Sequence, residues 1–160
     1  MQLDKRLILT RIIEQLSDDL KSTEQAVAVA RDTATHPDAL GSSRYETAGL
    51  EASYLAQGQG MRLLEIERAL GYFSRLEFPA SKGSVAICSL VELHDESGAV
   101  QYLWLAPEAG GLKVEQAGRS ITVVTPKSPL GAALIGRESG EVVEVHIGGC
   151  ERSYAIEAIA

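Results

Sequence analysis

Along residues 1–77 the apolar positions recur at helical spacing. Leu9, Ile13, Leu16, Leu20, Thr23, Val27, Ala30 and Ala34 alternate in steps of four and three, the period of a seam that faces one partner helix. The seam narrows from Ile and Leu to Val and Ala, so two helices packed there would lie closer toward its end. His36-Pro37 stops the pattern, because proline disfavours helical geometry in the residue before it. A tip loop at about 36–43 follows. Ser43 stands three residues ahead of Glu46, the spacing of a capping box, and opens a second helix predicted over about 44–76. Its seam reads Leu50, Tyr54, Gln57, Met61 and Leu64, shifting later to Ile66, Leu70 and Phe73. Gly49, Gly58 and Gly60 each cost about 1 kcal/mol relative to Ala inside a helix; they either admit close helix contact or bend the helix. A short loop between two long helices predicts an antiparallel α-helical coiled-coil hairpin. Each arm of roughly 30 residues would extend about 45 Å and project from a globular base.

The pattern changes near Phe78-Pro79-Ala80-Ser81-Lys82-Gly83. Strand-like stretches follow at 84–92, 100–106, 120–125, 142–147 and 153–159. Between them lie the turn signals Glu96-Ser97-Gly98, Ala109-Gly110-Gly111 and Gly148-Gly149. Residues 129–136 read as one short helix, with proline in its first turn and glycine at its end. The expected fold class is therefore α+β, with a helical hairpin over 1–77 and a small antiparallel β domain with one short helix over 78–160.

Composition narrows the function. Of 160 residues, 45% are hydrophobic but only 5% aromatic, which favours aliphatic seams over an aromatic-lined pocket. The net charge is −7, and acids outnumber bases in both halves. A nucleic-acid surface built from basic residues is disfavoured, so independent DNA binding is not expected. The N-terminal residues lack a signal peptide's apolar core, with Asp4, Lys5 and Arg6 interrupting it. No apolar run approaches the ~20 residues of a membrane span. Cys88 and Cys150 form no CxxC and read as reduced, buried thiols, which makes the expected location cytoplasmic. His94 and His146 lack zinc-ligand spacing, and Trp104 reads as core or interface. There is no P-loop, nucleophile elbow or dinucleotide fingerprint.

The segment Ser128-Pro-Leu-Gly-Ala-Ala-Leu-Ile-Gly136, followed by Glu138-Ser-Gly-Glu-Val-Val-Glu-Val145, resembles the C-terminal signature of the Gre transcript-cleavage factor family. Residues 150–159 are similar to that family's closing strand. Tyr45-Glu-Thr-Ala-Gly-Leu-Glu-Ala-Ser-Tyr-Leu55 resembles the start of the second hairpin helix in shorter Gre-like proteins. The resemblance implies an FKBP-like C-terminal domain that docks at the rim of the RNA polymerase secondary channel. The coiled coil would then pass down the channel, so that nascent RNA is met only indirectly. It further implies that Ser128, Pro129, Leu130, Leu134 and Ile135 lie near the polymerase-docking face, although Leu134 and Ile135 also suit the domain core. Such a factor is not an enzyme: acidic residues at the hairpin tip help hold a Mg²⁺ shared with the polymerase, which itself cleaves backtracked RNA. No stably bound cofactor or metal is implied.

Anchored on Tyr45, the family's tip Asp falls on Asp38, its Glu on Gly41 and its Asn on Ser42. One carboxylate remains where the family presents two. Glu46 could substitute, but its position also suits capping of its own helix; Asp38 is equally a turn residue after proline, and His36 a solvated loop side chain. Three functions remain: a channel binder that stimulates cleavage, a channel binder that modulates or inhibits without cleavage, and an FKBP-like prolyl isomerase or chaperone module. The last is disfavoured, since no Phe follows Phe78.

Overall fold

The computed structural model describes residues 1–35 and 43–160, with the side chains of 33–35, 43–48 and 52 outside the description. Two long helices, α1 (Lys5–Thr35) and α2 (Ser43–Ser74), precede six strands: β1 (Leu90–Asp95), β2 (Val100–Leu105), β3 (Lys113–Gln116), β4 (Arg119–Val124), β5 (Val142–Ile147) and β6 (Cys150–Ile159). One short helix, α3 (Pro129–Leu134), lies between β4 and β5. The chain divides into two compact units: Glu14–Gly71, whose described residues are helical, and Met1–Ile13 with Tyr72–Ala160, which holds the sheet. The helix ends thus belong to the sheet-bearing unit, and the packing boundaries fall inside α1 and α2.

The strands form one mixed sheet in the order β3-β4-β2-β1-β6-β5. Every pairing is antiparallel except β2·β4, where Tyr102 to Leu105 run parallel to Ile121 to Val124. The reason is β3, a strand the sequence pattern did not announce. It runs down the outer edge and turns at Ala117-Gly118 (φ 52° and 71°), and β4 then returns between β3 and β2. Two consecutive left-handed residues make the two-residue hairpin turn that matches strand twist. Gly148-Gly149 (φ 61° and 79°) does the same between β5 and β6.

The first strand begins later than the expected 84–92. Val85 N–H donates instead to Arg137 O (2.7 Å), Ser84 bridges Glu138, and Cys88 takes φ 74°. That left-handed residue breaks the extended run, so regular pairing starts only at Leu90.

One sheet face presents Val91, Leu93, Leu103, Leu105, Val143, Val145, Tyr154 and Ile156, with Leu134 of α3 closing over them. The alternate residues Leu90, Trp104 and Val123 form the second face through the pairs Leu90↔Trp104 and Trp104↔Val123. Phe78 meets Trp104 there at 6.1 Å between ring centroids, and the Lys5 ammonium lies 5.3 Å and 5.7 Å from the two ring centres. Trp104 is fully buried, as expected of a core residue.

In α1 the expected seam holds at Leu16, Thr23, Val27 and Ala30, all buried. Below Leu16 it moves by one residue: Ile8 and Ile12 are fully buried, while Leu9 and Ile13 are half-buried. In α2 the expected seam over 50–64 is overturned. Leu50, Tyr54, Met61 and Leu64 are each 56–66% exposed, and the buried line runs through Gly49, Ala56, Ile66, Ala69 and Phe73. Over 49–64 of α2 the small residues Gly49 and Ala56 are therefore buried, like Thr23, Val27 and Ala30 of α1, and Leu50, Tyr54, Met61 and Leu64 point outward, whereas Ile66 and Phe73 of the later seam are buried as expected. Gly58 and Gly60 do not mediate close contact either, because an added Cβ at each would meet nothing within 4 Å.

Candidate functional site

Thr125 to Glu141, the connection between β4 and β5, is held by a set of local hydrogen bonds. Ser128 caps α3: its Oγ accepts from Gly131 N–H (3.0 Å) and donates to Thr125 O (2.7 Å). An N-cap hydroxyl satisfies a helix donor that lacks an intrahelical partner, worth about 1 kcal/mol. Pro129 follows at the first helical position, where its missing N–H costs nothing. Gly131 is buried so closely against the preceding turn that an added Cβ would overlap the Thr125 carbonyl oxygen. Gly136 (φ 81°) ends the helix in the left-handed conformation, and its N–H donates to Val85 O (2.8 Å).

Beyond the helix, Glu141 folds back on the turn. One carboxylate oxygen accepts from Glu138 N–H (2.6 Å) and the other from Arg137 Nη1 (3.3 Å). The Glu138 hydrogen bond, and then Arg137, hold its carboxyl below the usual glutamate range. Ser139 Oγ donates to Glu157 O (2.8 Å), tying the turn to β6.

The five docking candidates separate on this frame. Leu134 is fully buried in the core and offers no surface, and Leu130 packs partly against the same core. Ser128 is committed to the cap. Pro129 and Ile135 are exposed, Ile135 at 39%. What α3 can present to a partner is therefore Pro129, Ile135 and the polar turn that follows. The tip candidates His36, Asp38, Gly41 and Ser42 lie outside the described residues, as do the side chains of Ser43, Tyr45 and Glu46.

Two features carried no sequence signal. Lys5 sits over Phe78 and Trp104 and donates to Ala160 O (3.1 Å). Burial pulls its ammonium below the usual lysine value, while charge on Cys88 acts oppositely; burial likewise raises the Cys88 thiol. Trp104 Nε1 has no hydrogen-bond partner among the described residues. The second feature is the exposed apolar line on α2, concealed because periodicity identifies an apolar line without saying what it faces. Cys150, expected to be buried, is exposed beside the Gly148-Gly149 turn, whereas Cys88 is buried; both are free. His94 pairs with Glu92 (3.0 Å). Among the described residues no group of three or more His, Cys, Asp or Glu could hold a metal ion, and no helix is long and apolar enough to cross a membrane.

The chain thus comprises a long-helix unit and a unit with a mixed sheet closed by one serine-capped helix, with no assembled catalytic centre among the described residues. The family model "Transcription elongation factor, GreA/GreB, C-term" matches residues 80–160, and the chain belongs to this family. Curated relatives span both units. Transcription elongation factor GreA of Alkalilimnicola ehrlichii is 30% identical over 134 residues, covering 82% of this chain and 77% of that one. GreA of Ruegeria pomeroyi is 29% identical over 145 residues, with coverages of 88% and 85%. The crystal structure of GreA factor homolog 1 (Gfh1) of Thermus thermophilus aligns over 95% of this chain and 94% of that one, at 23% identity and a TM-score of 0.39. Membership makes the chain an accessory transcription elongation factor rather than an enzyme.

Proposed function

We propose that this chain binds bacterial RNA polymerase at the secondary channel and modulates elongation there, in the cytoplasm. The observation that carries the reading is the Ser128–Gly136 helix with its Glu138–Glu141 turn. It lies within the family-matched region and forms a rigid, hydrogen-bonded element that presents Pro129 and Ile135 outward. The acidic balance of the chain supports a protein partner over direct contact with nucleic acid, since −7 charges would repel phosphates. Nascent RNA would be reached only through the polymerase.

At the hairpin tip, Asp38 is the residue proposed to act, with Glu46 as a second carboxylate if it is not spent on its own helix. A Mg²⁺ shared with the polymerase would supply charge stabilisation for phosphodiester hydrolysis. Asp38 would contribute one oxygen ligand to such an ion, which commonly keeps several waters. Gly41 stands where the family places a Glu, and that favours a second reading: a channel binder that modulates the polymerase with weak cleavage or none.

Incubating stalled, backtracked polymerase with the wild-type protein and with Asp38→Ala separates the two. Slow cleavage that Asp38→Ala removes supports the tip assignment. Robust cleavage that survives the substitution overturns it. Absence of cleavage combined with competition against an active channel factor establishes the modulator.

A further inference from the structure

Lys5, the first residue of α1, lies in a setting that the other lysines do not share. Its ammonium sits 5.3 Å from the Phe78 ring centre and 5.7 Å from that of Trp104, and it donates to Ala160 O at 3.1 Å. All of these residues belong to the sheet-bearing unit. Lys5 is half-buried there, whereas Lys21, Lys82, Lys113 and Lys127 are exposed.

The donors and acceptors of this site do not balance. An ammonium brings three donors and no acceptor, and an indole N–H brings one donor more. Trp104 is fully buried, and its Nε1 has no partner among the described residues. Ala160 O, which meets the ammonium, also accepts from Leu90 N–H at 2.8 Å. The site therefore holds a surplus of donors and lacks an acceptor for the indole. The charge is also poorly placed for the helix, because a cation in the first turn faces the positive end of the helix dipole. Asp4 Oδ1 already caps that end by accepting from Arg6 N–H at 2.8 Å.

An amide in place of the ammonium corrects each of these. It keeps one N–H for Ala160 O, sheds two donors and the charge, and adds a carbonyl oxygen near the indole. Its short alkyl group replaces the cation–π attraction with apolar contact against the two rings. Reactivity points the same way. Burial pulls the Lys5 ammonium below the usual lysine value, so more of it is neutral amine at pH 7 than of an exposed lysine. Cys88, whose thiol burial raises, stays uncharged at that pH and does not hold the ammonium in place. A lysine desolvated by apolar neighbours is an activated nucleophile.

We propose that Lys5 is a modification site for a small activated acyl group, carried as an acyl phosphate or an acyl thioester, and that the amide formed offers its carbonyl oxygen to Trp104 Nε1. The amine nitrogen attacks the acyl carbon and the N–C bond forms. The bond from that carbon to the phosphate oxygen or the thioester sulfur breaks, and the leaving group takes the electron pair and the nitrogen's proton. No oxidant or reductant is needed. The inference does not depend on the polymerase reading above.

The test treats native full-length protein at pH 7 with acetyl phosphate and, separately, with acetyl-coenzyme A, and follows each lysine by peptide mass spectrometry. Lys5 should label at least about threefold faster than the average of the four exposed lysines with one reagent or both, which also names the acyl source. In denaturing urea that advantage should vanish. Trp104 is the single tryptophan, so its indole N–H gives one proton resonance. That resonance should move downfield as Lys5 is acetylated, and it should stay in place in Lys5→Arg given the same treatment. Lys5 labelling no faster than the exposed lysines with either reagent overturns the proposal. An acetylated Lys5 that leaves the indole resonance unmoved overturns it as well.

Discussion

Asp95 organises the β1–β2 turn through a single oxygen. Its Oδ1 accepts from Ser97 Oγ (2.6 Å), Ser97 N–H (2.9 Å) and Ala99 N–H (2.9 Å), while Gly98 supplies φ 81°. The Ser97 hydroxyl foremost, then the Ala99 amide, hold the carboxyl below the usual aspartate range. A depressed folded-state pKa stabilises the fold above the unfolded value, about 4, and that contribution disappears as pH falls through the folded one. Asp95→Ala should therefore lower Tm at pH 7, with the gap to wild type closing as the melts are repeated below about pH 4; a gap independent of pH would refute the assignment. Gly131 is a different single-residue constraint. Its requirement is space, not a left-handed backbone, because a methyl group would collide with the Thr125 carbonyl. Gly131→Ala should cost about 2 kcal/mol or more in urea titration, whereas Gly111→Ala would be penalised through its φ of 90° alone.

At the scale of elements, α3 has six residues and cannot persist by propensity. It is held by the Ser128 cap and by Leu134 in the core. Leu134→Ala should cost about 2–5 kcal/mol, followed by fluorescence of Trp104, the single tryptophan. A loss below about 1 kcal/mol would mean that the site collapses around the smaller side chain and that Leu134 does not anchor the helix. This element was legible in the sequence, because proline, glycine and the N-cap serine punctuate it chemically. The hairpin helices and the later strands were legible for the same kind of reason, as regular periods bounded by breakers. What could not be read was whatever depends on a partner. β3 is only four residues long, with Lys113, Glu115 and Gln116 around Val114, and it becomes a strand by pairing with β4. The onset of β1 depends on Cys88 adopting φ 74°, for which a cysteine gives no signal. Over 50–64 of α2 two lines compete, and the sequence reading followed the bulkier one. The structure buries Gly49 and Ala56 instead, while the later seam through Ile66 and Phe73 is buried as expected. For the candidate site the division is similar: the capped turn was visible, but the burial of Leu134 against the exposure of Ile135 depends on which side of α3 meets the sheet.

Across the whole molecule, the two compact units differ in what holds them. The largest fully buried side chains are Trp104, Phe73, Ile8, Ile12, Ile66, Leu90, Leu93, Leu105, Ile121, Leu134, Ile156 and Val85. Of these only Ile66 falls within Glu14–Gly71; the rest lie in the unit that contains the sheet. Besides Ile66 the helical unit is closed by Leu16 and by Val27, Ala30, Ala56 and Ala69, and the last four each remove less apolar surface from water than a buried aromatic or isoleucine. Stability should therefore be graded, with the helices opening locally at lower free energy than the sheet. Hydrogen exchange on the full chain should show amides of 17–32 and 53–66 exchanging well before those of β1, β2 and β6. Ile66→Ala should speed exchange in the helical set by tenfold or more, in keeping with the 2–5 kcal/mol typical of such a truncation, while leaving β1 and β2 close to wild type. Leu134→Ala should do the reverse, accelerating exchange in the sheet. Uniform acceleration by either variant would show a single cooperative unit and would refute this division. A graded molecule suits the proposed role: the sheet keeps the α3 turn in fixed geometry, while the helices can adjust to a partner without unfolding the unit that carries the sheet.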